Sequence, residues 1–423
     1  MPLPELIEIV PLDGPVQAEI TVPGSKSITN RALVLAALGE GETTLEGALW
    51  SEDTQVMVEC LQELGFMVNV QADRQEPCNR TITVYGKAGV VPAGGTAERP
   101  LELFVGNAGT AARFLAALVC LGKGVYRLHG VPRMHERPQA ALFHALRELG
   151  YRSESPNDKL PALLCGGGAR AARCRVSIDE SSQFASALLL CADAAGWQVE
   201  VSGDNAEESP YVAMTRKLIA AFPRSGGRFQ VEPDASSASY FLAAGFLLSH
   251  RATVSLRAAP ATDWQVDAAF GRFLPLPASL SRRTDLGDSI MTAVVLAPFA
   301  QQAVRFTDLG RLRVQECERV AALRAELTKC GAKVSEEGDT LTVWPSRLHG
   351  AEIETCNDHR LAMCFAILGL KVPGIRLKNP SCVNKTFPNF FQKLAAQPPG
   401  GLGARILDGK SGRPLSNAEL FAE

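Results

Sequence analysis

The chain has 423 residues, 46% of them hydrophobic and 21% charged, with a formal net charge of −2. That balance is globular rather than disordered, and the length exceeds one ordinary core, so two domains are expected. A near-neutral chain has no bulk basic field for nucleic acid or an anionic membrane surface, so any anionic ligand must be held by a local cluster of basic side chains. The 11 cysteines lack CxxC spacing, and several, such as Cys120, Cys191 and Cys364, sit in apolar runs. They read as reduced core residues of a cytoplasmic protein. The first residues, MPLPELIEIVPLDG, carry acids and prolines rather than a basic segment followed by an apolar one, so no secretory signal is expected. No apolar run reaches the ~18 residues of a membrane span.

Taken in chain order, one pattern repeats. A helix rich in small apolar residues, a turn and a short strand recur six times. The helices are expected to begin near Thr29, Thr110, Gln183, Ser236, Ser289 and Arg360. The strands are expected at Thr43–Leu45, Val125–Leu128, Val199–Val201, Thr253–Leu256, Val304–Phe306 and Ile375–Leu377, from alternation or β-branched residues. A second kind of helix ends in LxxLG or a relative of it, at Leu61–Gly65, Leu146–Gly150 and Leu327–Gly331. Each glycine can take the left-handed conformation that stops a helix, and a strand-like segment follows. Spaced copies of a mixed unit predict an α/β array of repeats, with the fourth shortened around Asp263–Leu274. The Ser-Gly-Gly break at Ser225–Gly227 marks a domain crossing, giving a discontinuous domain of 1–22 plus 229–423 and an inserted domain of 23–228. Residues 398–423 are Pro/Gly-rich and are expected to form a loose tail, although LSNAELFAE has the makings of a short helix.

Each repeated helix is entered through polar residues: Ser25-Lys26-Ser27, Asn107-Ala108-Gly109-Thr110, Ser181-Ser182-Gln183, Asp234-Ala235-Ser236-Ser237, Gly287-Asp288-Ser289 and Asn357-Asp358-His359-Arg360. Helix N-termini expose unpaired N–H groups and partial positive charge, so they suit phosphate or carboxylate. The alternative is that these residues simply cap the helices. Lys26 and Arg360 oppose the helix dipole, which an anionic ligand would explain. Arg137, Arg313, Arg319 and Lys385 also stand in dense polar surroundings, with surface solvation or ion pairing as the alternative.

These segments carry a resemblance. PGSKSITNRAL at Pro23–Leu33 and NAGTAARFLAA at Asn107–Ala117 resemble the first two motifs of the 5-enolpyruvylshikimate-3-phosphate (EPSP) synthases. PRMHERP, SSQFASALL, SPY at Ser209–Tyr211, DASSASYFLAA, GDSIMT, RVQECER, NDHRLAM and NKTFPNF follow in that family's order, from about residue 14 to 395. The resemblance implies an α/β, two-domain enolpyruvyl transferase fold, an inside-out α/β barrel in which each domain is built from three βαβαββ repeats and the active site lies in the interdomain cleft. It implies transfer of the enolpyruvyl group of phosphoenolpyruvate to the 5-hydroxyl of shikimate 3-phosphate, on the route to chorismate and the aromatic amino acids. Glyphosate is the family's inhibitor and would occupy the phosphoenolpyruvate pocket.

By motif, Lys26, Ser27, Arg31, Ser181, Ser182, Gln183, Ser209, Tyr211 and Asp288 would hold shikimate 3-phosphate. Lys26, Asn107, Gly109, Arg137, Gln183, Arg319, Arg360 and Lys385 would hold phosphoenolpyruvate. Lys26, Asp288 and Glu316 would be catalytic, Asp288 lying near the 5-hydroxyl and Glu316 protonating C3. The chemistry suits these residue types: acid/base groups at the hydroxyl and at C3, and cations around a carboxylate and a departing phosphate. No metal or other cofactor is implied, and the chain is expected to act as a monomer.

Three positions depart from the family pattern. Gln315 stands where a lysine that reaches the shikimate phosphate is usual, Phe114 where a proline is frequent, and Arg311 where small or amide residues are common. A helical stretch would put Arg311 and Gln315 on one face, and an extended one would align Arg311, Arg313 and Gln315. Arg311 is therefore expected to supply the missing charge, with Arg313 as second choice and a solvated surface arginine as the alternative. Gln315 would keep a hydrogen bond to the phosphate. The nearest rival reading is a UDP-N-acetylglucosamine enolpyruvyl transferase, whose motif has Lys-Asn in place of Lys26-Ser27. A non-catalytic relative is the other; retention of Asp288, Glu316 and the cations argues against it.

Overall fold

The computed structural model describes residues 3–74, 76–203, 209–249, 252–258 and 260–422. Small apolar side chains on every face leave a helix no solvent side, and such a helix must be buried all round. Six described helices are buried along most of their length: Lys26–Leu38, Gly109–Leu118, Gln183–Ala195, Ala235–Leu247, Ile290–Leu296 and His359–Gly369. Every residue of Gly109–Leu118, Ile290–Leu296 and His359–Gly369 is buried. The strands that follow them are Glu40–Leu49, Val125–His129, Trp197–Ser202, Ala252–Leu256, Val304–Thr307 and Ile375–Lys378. The second kind of helix is Glu52–Glu63, Ala140–Glu148 and Arg319–Lys329. Each stops before a left-handed glycine, Gly65, Gly150 or Gly331, with φ of 84°, 85° and 92°.

The chain packs as two compact units, Gly24–Glu232 and residues 1–23 with 233–423. The second crossing thus follows the strand Gly227–Gln230, which pairs parallel with Glu40–Leu49 in the inserted unit. The Ser225–Gly227 break lies inside that unit rather than at its edge.

Among the described residues, each unit holds two four-stranded sheets and one two-stranded sheet. In four of the six repeats the strands flanking a buried helix pair in parallel, as a strand–helix–strand crossover requires. The other two repeats exchange partners. Val16–Ile20 precedes the helix Lys26–Leu38 but pairs with Ala252–Leu256, while Gly227–Gln230 precedes Ala235–Leu247 but pairs with Glu40–Leu49. That exchange divides the chain into its two units. Two repeats in each unit continue through a second helix to an antiparallel pair. The repeat around Trp197–Ser202 and the one around Ala252–Leu256 stop short of it.

The described part of the segment 398–423 is not a loose tail. Ile406–Asp408 joins the edge of a sheet, antiparallel to Leu6–Ile9. Leu402, Ala404, Ile406, Leu420 and Ala422 are buried in the core of this unit. Asn417–Leu420 forms a short 3-10 turn closed by a capping box between Ser416 and Glu419. The Pro/Gly content sets the turns of a docked segment.

No helix among the described residues is long and apolar enough to cross a membrane. None of the 11 cysteines forms a disulfide.

The docked terminus makes a prediction. Ile406→Ala and Leu420→Ala should each destabilise the protein by ~2–4 kcal/mol, the usual cost of emptying a buried aliphatic site. Chemical denaturation reads this directly, and an unchanged midpoint in both variants would show that the segment contributes nothing to the core.

Candidate active site

In the inserted unit, four helices that start at polar clusters pack together: Lys26–Leu38, Gly109–Leu118, Gln183–Ala195 and Pro210–Ala221. Their N-cap residues are Ser25, Ala108, Ser182 and Ser209, and none makes a side-chain capping bond. Capping therefore does not account for the three serines. The helix starts keep backbone N–H groups without a capping side chain, together with their dipole charge. Ser182 and Ser209 are buried, and the Ser209 hydroxyl has no hydrogen-bond partner among the described residues. Ser181 lies beside them, its Oγ accepting from the Gln183 amide at 3.3 Å. Tyr211 is half-buried in the first turn of its helix.

Lys26 and Ser27 open the first of these helices, both half-buried. Gly24 allows that entry, since a Cβ there would lie 1.9 Å from the Gly47 carbonyl oxygen. The Lys26 ammonium pairs with Asp53 at 2.9 Å. Arg31 lies deeper and ties three helices together. It donates to Thr215 Oγ1 at 2.7 Å, to the Ser27 carbonyl at 2.8 Å and to Ser186 Oγ at 3.1 Å. Burial pulls its pKa down to about 10, and the Tyr211 phenol nearby opposes that shift. The Phe114 ring, 5.2 Å from the guanidinium, supplies a cation–π contact. Phe114 thus has a packing role, and the helix still begins at Gly109.

At Gly109 the absence of a side chain decides the geometry. A Cβ would stand 2.3 Å from Arg113 Nη1 and 2.6 Å from Arg137 Nη2. Two guanidinium groups can therefore lie over the helix start. Arg137 donates to the Asn107 carbonyl at 3.0 Å, and Arg113 donates to Gln183 Oε1 at 3.1 Å. Gln183 in turn donates to Thr110 Oγ1 at 3.2 Å. Asn107, Gly109, Arg137 and Gln183 are thereby one cluster.

The discontinuous unit solves a different problem, that of neutralising buried charge. Arg319 is 1% exposed and grips Asp358 with two nitrogens, at 2.6 and 3.2 Å. It also reaches Glu316 at 2.8 Å, and Gln315 Oε1 accepts from its Nη1. Lys385 stands 3.7 Å from the other Glu316 oxygen. Asp288 lies between Arg282 at 3.0 Å and Arg360 at 3.1 Å, with Arg319 at 3.9 Å. Burial alone would raise the Asp288 pKa, but Arg360, Arg282 and Arg319 together hold it well below the usual carboxylate range. For Arg319 burial works against the charge, and Asp358, Glu316 and Asp288 outweigh it, so its pKa is raised. Two of the helix starts here are capped, Asp234 accepting from Ser237 N at 2.7 Å and Asp358 from Arg360 N at 2.9 Å.

The stretch Gly310–Val314 is a 3-10 turn, neither the α-helix nor the strand considered from sequence. Arg313 is committed elsewhere, to Glu318 at 2.6 Å, Glu336 at 2.8 Å and Asp339 at 3.1 Å. It is therefore a structural arginine and drops out as second choice for the missing charge. Arg311 is half-buried in the same turn.

Sequence reasoning passed over Arg113, Asp53, Asp358, Asp267 and Arg282. Two of these left a signal. Arg113 is a lone cation inside an apolar helix, which demands partners, and Asp358 is an acid beside an arginine at a helix start. Asp53 and Asp267 show their roles only through contacts distant in sequence, and Arg282 through Asp288 on the far side of a turn, a spacing that carries no periodic signal.

The Arg319–Asp358 pair makes the second prediction. Asp358→Ala strands a buried guanidinium, a change that typically costs ~3–5 kcal/mol. A clear fall in the denaturation midpoint is expected. No fall would mean that Glu316 alone can hold Arg319.

Comparison with known proteins places these clusters in a family. Residues 12–272 and 282–394 match the family described as EPSP synthase (3-phosphoshikimate 1-carboxyvinyltransferase). The chain is 37% identical to the 3-phosphoshikimate 1-carboxyvinyltransferase of Trichormus variabilis, over 92% of this chain and 98% of the relative. It is equally similar, at 37%, to the enzyme of that name from Opitutus terrae, over 93% and 98%. Among solved structures, the EPSP synthase of Acinetobacter baumannii superposes with a TM-score of 0.70 at 21% identity, covering 95% of this chain and 99% of that one. An enolpyruvyl transferase from Streptomyces tendae gives 0.67 at 18% identity, over 96% and 99%. These two likenesses establish the two-domain enolpyruvyl transferase fold. With the family match running through both units and the relatives matched almost end to end, the chain belongs to the EPSP synthase family.

Proposed function

We propose that the chain transfers the enolpyruvyl group of phosphoenolpyruvate to the 5-hydroxyl of shikimate 3-phosphate, releasing phosphate. The observation that carries this reading is the alternation of acids and cations around Arg319, namely Asp288, Glu316, Arg360 and Lys385, in a chain 37% identical to relatives named for that activity.

Each unit has its own part in this reading. In the inserted unit, Ser182 and Ser209 stand at N-cap positions without a side-chain capping bond, with Ser181 beside them, which suits the shikimate phosphate. Lys26, Ser27, Gln183 and Tyr211 would orient the acceptor, with Arg31 bracing the helices beneath them. Arg137 over Gly109, beside Asn107, would take an oxygen of phosphoenolpyruvate. In the discontinuous unit, Arg319, Arg360 and Lys385 would bind its carboxylate and phosphate, where a guanidinium fork suits two oxygens at once.

Asp288 is the base we assign to the 5-hydroxyl, and Glu316 the group that protonates C3. Attack of the hydroxyl oxygen on C2 gives a tetrahedral ketal phosphate. Loss of a C3 proton with departure of phosphate then gives the enol ether. The cations stabilise the charge that gathers on the leaving group. While three arginines surround it, Asp288 is a weak base; an arriving anion that draws Arg360 and Arg319 away restores its basicity. Arg311, half-buried in the turn that leads to Gln315, is retained as the cation that would stand in for the family's lysine toward the shikimate phosphate. Glyphosate, which would compete for the phosphoenolpyruvate cations, follows as an expected inhibitor.

The test is phosphate release from phosphoenolpyruvate with shikimate 3-phosphate and, separately, with UDP-N-acetylglucosamine. Turnover is expected only with the first. Arg360→Ala should raise the KM for phosphoenolpyruvate more than about tenfold, since a hydrogen bond to a charged group contributes ~1.5–3 kcal/mol. Turnover with the sugar nucleotide, or with neither acceptor, would overturn the reading.

A further inference from the structure

Asp288 has a partner that no motif announced. Arg282 follows the strand Ser279–Ser281, and its amide donates to the Thr307 carbonyl at 3.0 Å, which fixes its backbone beside the strand Val304–Thr307. Its side chain is 7% exposed, and its Nη2 donates to Asp288 Oδ1 at 3.0 Å. Its Nε is buried and has no hydrogen-bond partner among the described residues. The family match breaks off at 272 and resumes at 282, so the strand leading into Arg282 lies in a stretch the match skips.

The peptide that carries Asp288 is itself pinned. Asp267, 4% exposed, accepts from Gly287 N at 2.7 Å, from Ser289 N at 3.2 Å and from Ser289 Oγ at 2.5 Å. Its other oxygen accepts from Ser236 Oγ at 2.5 Å. With its neighbours clamped on both sides, Asp288 has little freedom to follow a moving partner.

The three arginines on Asp288 then fall into two classes. In the proposed reaction Arg360 and Arg319 are phosphoenolpyruvate cations, and a bound anion competes with Asp288 for them. Arg282 belongs to neither substrate set. We propose that Arg282 is a positioning residue for the transfer reaction, which stays on the Asp288 carboxylate when an anionic substrate engages Arg360 and Arg319. The unpartnered Nε gives it the means. Nε and Nη2 form one edge of the guanidinium fork, so the present one-point contact can become a two-point contact with both carboxylate oxygens. Asp288 stays oriented toward the hydroxyl and ionised, with one cation in place of three.

This inference rests on the proposed transfer reaction, and it has a pH signature. The charged groups facing Asp288 are Arg282, Arg360, Arg319 and Glu316, with Asp267 behind its backbone. Removing a cation from a carboxylate raises its pKa, so the base is protonated at higher pH and the acidic limb of the rate profile moves up.

The experiment is steady-state kinetics on the full chain with phosphoenolpyruvate and shikimate 3-phosphate across the pH range, for wild type, Arg282→Gln and Arg282→Lys. Arg282→Gln should lower kcat by about tenfold or more and shift the acidic limb of kcat upward by about one pH unit, with KM for phosphoenolpyruvate within about threefold. Arg282→Lys keeps the charge but not the fork, so the limb should return toward wild type while kcat recovers only in part. An unshifted limb in Arg282→Gln, or a loss confined to KM, overturns the proposal. If Arg282→Gln does not fold, Arg282→Lys decides: a wild-type kcat, or a loss confined to KM, also overturns it. Failure of wild type to turn over shikimate 3-phosphate is a separate outcome and sinks the transfer reading itself.

Discussion

A guanidinium that is 1% exposed cannot be left without counter-charge, and much of the discontinuous unit is arranged around that constraint at Arg319. Asp358 neutralises it and at the same time caps the helix that begins beside Arg360. Glu316 and Asp288 complete the shell, and each brings a second cation, Lys385 or Arg360 and Arg282. Loops far apart in sequence, 282–288, 315–319, 358–360 and 385, are thereby fixed by charge pairing. The same pairing sets the chemistry. A carboxylate whose pKa is depressed by three arginines is a weak base; in the proposed reaction an arriving anion that claims the arginines would make it ready for catalysis.

On the proposed reading the inserted unit would hold its anion by the opposite route, leaving groups unsatisfied rather than pairing them. Ser25, Ser182 and Ser209 stand at N-cap positions without capping, and Gly109 leaves space in which two guanidinium groups lie over a helix start. Arg31 shows how the two tasks are kept apart. It is held by Thr215, Ser186 and the Ser27 carbonyl and backed by Phe114, so it braces the helices from which Lys26 and Ser27 project.

The repeats were legible because helices of small apolar residues alternate with β-branched strands, a local pattern. All six core helices and the strands after them fall where those patterns lie. The helix Pro210–Ala221, noticed only for its SPY start, was hidden because its exposed Arg216 and Lys217 interrupt the apolar run. The C-terminal segment was misread for a related reason. Its three-residue strand finds its partner at Leu6–Ile9, and no local composition reports a pairing across the whole chain. Arg313 was misjudged because Glu336 and Asp339 approach it from a hairpin about twenty-five residues away. The cations of the site were readable as motif residues; that they are held by Asp53, Asp358 and Asp288 was not, since ion pairs between distant segments leave no periodicity.

On the proposed reading, internal carboxylates hold the cations which the substrate later takes. The most direct measurement is the dissociation constant of phosphoenolpyruvate for Asp288→Asn, set beside its turnover. Removing the competing charge should leave binding at least as tight as in wild type while turnover falls by about a hundredfold or more. Binding weakened more than about threefold, or turnover preserved, would contradict it.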